Sequence, residues 1–208
     1  WNNLGTAYND LKRYDDAIEA YRQALQFDPK DAEAWYNLGI AYYKLNRHDD
    51  AIEAYRQALQ FDPEDAFAWN NLGANYGKLN HYNNEIEAYR EAIRINPEFA
   101  EAWNNLGIAS LNLNRHDEAR EAFNQVLHIN PNYANEWYNC GTSAALSGDL
   151  TAVMEAVNIL EYLDPERAEK LFNLIETPDC LKKTEERKGS TMIELFCGNI
   201  KKLIKTIG

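Results

Sequence analysis

The sequence predicts an all-α solenoid of stacked helix–turn–helix units. Three observations predict it. The five tryptophans, Trp1, Trp35, Trp69, Trp103 and Trp137, stand 34 residues apart. Five of the six prolines, Pro29, Pro63, Pro97, Pro131 and Pro165, keep the same interval. Between these markers, apolar residues recur with a helical period. A fixed repeat of this length marks an array in which each unit buries its apolar face against the next.

The first unit justifies each element. Trp1, Leu4, Gly5 and Tyr8 fall at i, i+3, i+4 and i+7, one stripe of a helix. Glycine is unfavourable inside a helix, so Gly5 implies close approach by a neighbouring helix. A second helix is expected over about 15–27, with Ala17, Tyr21 and Ala24 on its inner side. Pro29 cannot continue that helix and biases Asp28 out of it. Asn46, Asn80, Asn114 and Gly148 follow the first helices of repeats two to five, with Lys12 in that place in repeat one. Asn and Gly accept the left-handed conformation that ends a helix. Asp15, Asp49 and Asp117 stand near the next helix start, where they complement its dipole.

The pattern Trp-x-x-Leu-Gly-x-x-Tyr, then Ala-x-x-x-Tyr/Phe and a closing Pro, resembles the tetratricopeptide repeat (TPR) family. Repeat two carries it as Trp35, Leu38, Gly39, Tyr42, Ala51, Tyr55, Ala58 and Pro63. The resemblance covers about residues 1–165 and implies a right-handed superhelix of five repeats: 1–30, 31–64, 65–98, 99–132 and 133–165. Departures accumulate toward the C-terminus. Glu85 replaces the signature alanine of repeat three, and Ser110 and Val126 replace the tyrosine and second alanine of repeat four. Cys140, Ala144, Val153, Val157 and Leu160 replace five signature residues of repeat five. Residues 166–178 read as a capping helix, with Leu171 and Leu174 in register with Trp and Leu. Residues 179–189 read as a linker, and 190–208 as an extra amphipathic helix.

Charge narrows the partners. The 208 residues carry a formal net charge of −12. Residues 1–178 hold 14 Lys and Arg against 29 Asp and Glu, whereas residues 179–208 hold 7 against 4. Acidity of this size opposes phosphate backbones, which argues against nucleic acid, and favours basic partners or solubility. Cys140, Cys180 and Cys197 follow no disulfide spacing, which suggests reduced thiols and a cytoplasmic location. No stretch is apolar enough to span a membrane. The chain opens inside a repeat at Trp1, so a fragment of a longer array is expected.

The candidate binding residues lie on the first helices. Trp, Leu, Gly and Tyr face the stack, and the residue two after each Trp points to the opposite side. That residue is always asparagine: Asn3, Asn37, Asn71, Asn105 and Asn139. In TPR proteins the first helices line the concave wall, so the resemblance implies a row of amides facing an extended peptide. A side-chain amide offers an acceptor and two donors, enough to pair with a backbone C=O and N–H together. Inherited consensus among duplicated repeats is the other reading of the row. Places one, five and eight residues after Trp add Tyr36, Ile40, Tyr43, Asn70, Asn104, Ile108, Leu111 and Tyr138. They also add Asn2, Thr6, Asn9, Thr142 and Ala145. The small Ala74 and Gly77 of repeat three have two readings: a pocket for an apolar side chain, walled by Tyr36, Ile40, Tyr43, Ile108 and Leu111, or ordinary variation on a solvated wall. The same places carry no Lys or Arg, which disfavours the carboxylate clamp of one TPR subtype.

No catalytic constellation is visible, and no metal or cofactor is expected. His48 and His116 share a repeat phase, but equivalent residues of neighbouring repeats lie about 10 Å apart, too far for shared zinc ligation. Glu19, Glu53, Glu87 and Glu121 recur with Arg22, Arg56 and Arg90 three residues after the first three of them, a pattern for surface ion pairs. Thr191 and Glu194 form a capping-box pattern ahead of an apolar stripe, Ile193, Phe196, Ile200, Leu203, Ile204 and Ile207. This basic helix is expected either to dock into a TPR groove, its own or a neighbour's, or to extend the cap. A membrane surface is a third reading. The expected function is a non-catalytic module that binds a peptide or protein segment in its concave groove. The substrate-presenting region of a larger enzyme, such as a glycosyltransferase, and a self-assembling scaffold are the alternatives.

Overall fold

The structure is a computed structural model and describes residues 1–175. The linker, the helix at 190–208, Cys180 and Cys197 lie outside the described residues. Eleven α-helices and no strands occur among the described residues. The chain divides into two compact units, Trp1–Ile129 and Asn130–Gly208, of which the second is described over 130–175.

The first unit holds four helix pairs: α1 (Asn2–Asp10) with α2 (Tyr14–Phe27), α3 (Ala32–Lys44) with α4 (His48–Phe61), α5 (Ala66–Lys78) with α6 (Tyr82–Ile95), and α7 (Ala100–Asn112) with α8 (His116–Ile129). Each helix packs on its sequence neighbours, and α1 also meets α3, and α5 meets α7. The glycines explain the closeness of each pair. A Cβ on Gly39 would stand 2.8 Å from the Tyr55 ring, and one on Gly107 would stand 2.6 Å from the Phe123 ring. Gly5 and Gly73 lie against Tyr21 and Tyr89 in the same way. Every one of these rings is buried.

The two sequence periods are one interaction. The indole N–H of Trp35 donates to the Pro29 carbonyl at 2.9 Å, and Trp69, Trp103 and Trp137 bond Pro63, Pro97 and Pro131 alike. The proline turn is thereby tied to the next repeat's first helix. Asp31 and Asp65 cap α3 and α5, accepting from Ala34 N–H at 3.0 Å and Ala68 N–H at 3.1 Å. As expected, Asn46, Asn80 and Asn114 are left-handed, with φ of 57°, 60° and 57°; Lys12 adopts φ 57° as well.

The second unit contains α9 (Ala134–Ser147), α10 (Leu150–Leu163) and α11 (Pro165–Ile175). Gly148 ends α9 with φ 79°. The last helix begins one residue earlier than the sequence suggests. Pro165 takes its first position, where a missing N–H is harmless. Asp164 caps it, accepting from Arg167 N–H at 3.2 Å. The helix covers α9 and α10 with Leu171, which is fully buried, whereas Leu174 is exposed. The ion-pair pattern expected on the second helices is redirected. Gln23 and Gln57 bond Glu19 and Glu53, Arg22 donates to the Tyr42 hydroxyl of the next repeat, and Arg90 pairs with Glu118.

Candidate binding wall on the first helices

The first helices α1, α3, α5 and α7 are joined side by side by asparagine. Asn37 Nδ2 donates to Asn2 Oδ1 at 3.5 Å, Asn71 Nδ2 to the Tyr36 hydroxyl at 3.1 Å, and Asn105 Nδ2 to Asn70 Oδ1 at 3.0 Å. The rule is constant: the residue two after Trp reaches the residue one after the preceding Trp. The row therefore has a packing reason to recur, contrary to the expectation of a purely exposed asparagine. Asn37, Asn71 and Asn105 are half-buried, and only Asn3 is exposed. Each seam bond uses one N–H of an amide that carries two, besides its carbonyl.

The remaining candidates divide by burial. Ile108 is exposed, and Ile40, Tyr43, Asn104 and Leu111 are half-buried on this wall. Tyr36 packs its ring 5.8 Å from that of Tyr55, and burial raises its hydroxyl above the usual phenol range. Asn70, expected as a contact, is only 3% exposed. Its amide donates to Glu101 Oε1 at 3.1 Å while accepting from Asn105, so both ends serve the seam. In the second unit, Tyr138 and Asn139 are half-buried on α9.

Repeat three departs from the rest in three linked places. Glu85 is buried where repeats one, two and four carry Ala17, Ala51 and Ala119. Gly77 lies over it: a Cβ there would stand 2.5 Å from Glu85 Oε1. The space beneath Gly77, where an apolar pocket is expected, is taken by a carboxylate. Burial raises the Glu85 carboxyl above its ordinary range, opposed by a long hydrogen bond of 3.5 Å from the Tyr89 hydroxyl. Asn75 replaces a small residue and is buried, donating to Asn71 O at 2.8 Å and meeting His48 Nδ1 at 3.0 Å. His48 begins α4 and packs edge-on to Tyr43. Among the described residues, no three His, Cys, Asp or Glu side chains gather as a metal would need.

The signature tryptophans are not wholly core. Trp35, Trp69 and Trp103 are half-buried and line clefts of about 470, 380 and 240 Å³ between successive repeats. The lining of each cleft includes an arginine (Arg22, Arg56, Arg90) and a glutamate (Glu53, Glu87, Glu121), with Glu118 beside Arg90 in the third. Sequence reasoning placed these charges in surface ion pairs. The signal in the sequence is that Arg22, Arg56 and Arg90 recur at the same 34-residue interval as Trp35, Trp69 and Trp103.

Solved structures with this fold include MamA, at 25% identity and a TM-score of 0.71, covering 82% of this chain and 95% of that one. They also include YrrB, described as a TPR protein with an unusual peptide-binding site, at 22% identity and a TM-score of 0.73, covering 83% of this chain and 90% of that one. No curated protein matches the chain. No helix among the described residues is long and apolar enough to cross a membrane. The family model for the cilia and flagella-associated protein 70 C-terminal domain matches residues 1–132. With more than half its length matched by that model, and with the helix pairs, ring-on-glycine packing and proline-bound tryptophans described above, the chain belongs to this tetratricopeptide-repeat family.

Proposed function

We propose that the wall formed by α1, α3, α5 and α7 binds an extended peptide or protein segment, as a non-catalytic interaction module. The fold is shared with YrrB, described as a TPR protein with an unusual peptide-binding site. One observation carries the finer reading. The asparagine amides are held in one orientation by bonds across every seam of the first unit. A side chain already fixed loses little rotamer freedom when a ligand arrives, where a free one would lose about 0.5–1.5 kcal/mol. The amide row is thus preorganised at repeat spacing, and amides pair with main chain rather than with particular side chains. Ile40 and Ile108 flank the row with apolar surface.

A displayed peptide library selected against the wild-type chain supplies the ligand, and calorimetry supplies the test. Asn37→Ala with Asn71→Ala is the variant of choice, because Asn105 is committed to buried Asn70. Two lost contacts at about 0.5–1.5 kcal/mol each should weaken binding roughly fivefold to a hundredfold. Unchanged affinity in a folded variant rules the amide row out.

A further inference from the structure

Helices α2 and α4 each pack along α3 but not along each other, so a cleft of about 470 Å³ opens between them with α3 as its floor. Its lining joins buried Leu25, Leu38 and Ala54 to half-buried Trp35. The Trp35 indole N–H is already bonded to the Pro29 carbonyl. The ring therefore offers a ligand apolar contact rather than a donor. The corresponding cleft between α6 and α8 is about 240 Å³, and there Arg90 of α6 pairs with Glu118 of α8 across the gap. Two substitutions accompany that bridge. Ser110 stands where Tyr42 and Tyr76 stand, and Glu118 stands where Asp50 and Asn84 stand. In the first cleft Arg22 donates instead to the Tyr42 hydroxyl at 2.8 Å, and Asp50 pairs with Arg47 at the start of α4 at 2.7 Å. Tyrosine thus holds the arginine on the floor, and neither Arg22 nor Asp50 bridges the gap.

We propose that the α2–α4 cleft is a second docking site, where a basic protein segment seats one apolar side chain against Trp35 and a neighbouring cation on Glu53. The opening and the lining supply the apolar half of this recognition, since burying one such side chain is worth about 1.5–3 kcal/mol when complete. Charge supplies the other half. Helix α2 carries Asp15, Asp16 and Glu19, and α4 carries Asp49, Asp50 and Glu53, against Arg22 and Arg56. Both arginines face tyrosines: Arg22 bonds Tyr42, and Arg56 lies 5.7 Å from the centre of the Tyr76 ring. Glu53 is exposed and accepts from Gln57 through Oε1, and a carboxylate has room for further donors. An acidic rim of this kind steers a basic segment and disfavours an acidic one. The site uses the face of α3 opposite Asn37, so it does not depend on the first-helix wall.

The test uses a small probe, the N-acetylated tripeptide amide lysyl-phenylalanyl-lysine, titrated into the isotope-labelled full chain and followed by NMR at the tryptophan indoles. The Trp35 indole signal should move saturably, and that of Trp103, in the bridged cleft, should not. Replacing the phenylalanine of the probe by serine should weaken the Trp35 response about tenfold or more, because the apolar anchor is lost. Glu53→Gln should weaken it roughly twofold to fivefold, the scale of an exposed ion pair. Glu19→Gln, the same phase on α2 and outside this cleft's lining, should leave it unchanged. The proposal is overturned if Trp35 does not respond, if Trp103 responds equally, if the serine probe matches the phenylalanine probe, or if Glu53→Gln binds as the wild type does. Asn37→Ala with Asn71→Ala should keep the Trp35 response. Its loss in that folded variant would place the probe on the first-helix wall and overturn the cleft site, whereas failure of the amide row alone would leave the cleft standing.

Discussion

Leu171 of α11 occupies the place beside Gly141 that an aromatic ring of the second helix fills in the four preceding repeats. Repeat five carries Val157 where they carry Tyr21, Tyr55, Tyr89 and Phe123. Valine is too short to reach the glycine, and the next helix supplies the missing bulk. The last helix is thus a structural part of repeat five. Leu171→Ala should cost about 2–5 kcal/mol, the usual range for a buried leucine. Amide hydrogen exchange should quicken across α9–α11. Protection unchanged in α9 would show that α11 is dispensable.

Gly39→Ala should destabilise the chain even though alanine is the better helix former. The propensity gain is about 1 kcal/mol. Against it, the new methyl would stand 2.8 Å from the Tyr55 ring, which is fully enclosed. Overpacking of this kind costs about 1–3 kcal/mol. A urea midpoint equal to or above that of the wild type would contradict the close-approach reading of this glycine.

Much of this fold was legible because a repeat states each rule five times. The Trp and Pro periods placed the helix pairs, and Asn46, Asn80 and Asn114 marked the left-handed turns. Period alone says that a residue recurs, not which neighbour it meets. It places Asn37, Asn71 and Asn105 opposite the stack but does not disclose their seam bonds. Asn70 was misplaced for the same reason: its phase-mates Asn2, Tyr36 and Asn104 are half-buried, and only Asn70 has bonds at both ends. Glu85 was visible as a broken alanine rule and Gly77 as a small residue. Their pairing needs the facing helix. The available signal was that both departures fall in one repeat.

Asn105→Ala should be more costly than Asn3→Ala. Asn105 satisfies the carbonyl of Asn70, whose other end is held by Glu101. Removing the donor leaves a buried acceptor unpaired, at about 1–3 kcal/mol. Asn3 is exposed, and surface changes of this kind stay within about 0.5 kcal/mol. Chemical denaturation of both variants checks the difference. Equal stability would mean that the seam bond contributes nothing.

Glu85 should make the chain less stable as pH rises. Burial lifts its carboxyl above the ordinary value of 4.5, with the Tyr89 hydroxyl acting weakly the other way. Between those two values the native state holds a proton that the unfolded chain has lost, so stability falls with increasing pH. The penalty is absent below the unfolded value and complete once pH passes the folded one. Glu85→Gln cannot titrate there. Its stability relative to wild type should therefore improve from pH 4 upward and level off above the folded value. Denaturant midpoints for both proteins, taken at intervals from pH 4 to 8, give that difference directly. A constant difference across the range would mean that Glu85 titrates in the native state as it does in the unfolded chain, and that its burial under Gly77 carries no charge penalty.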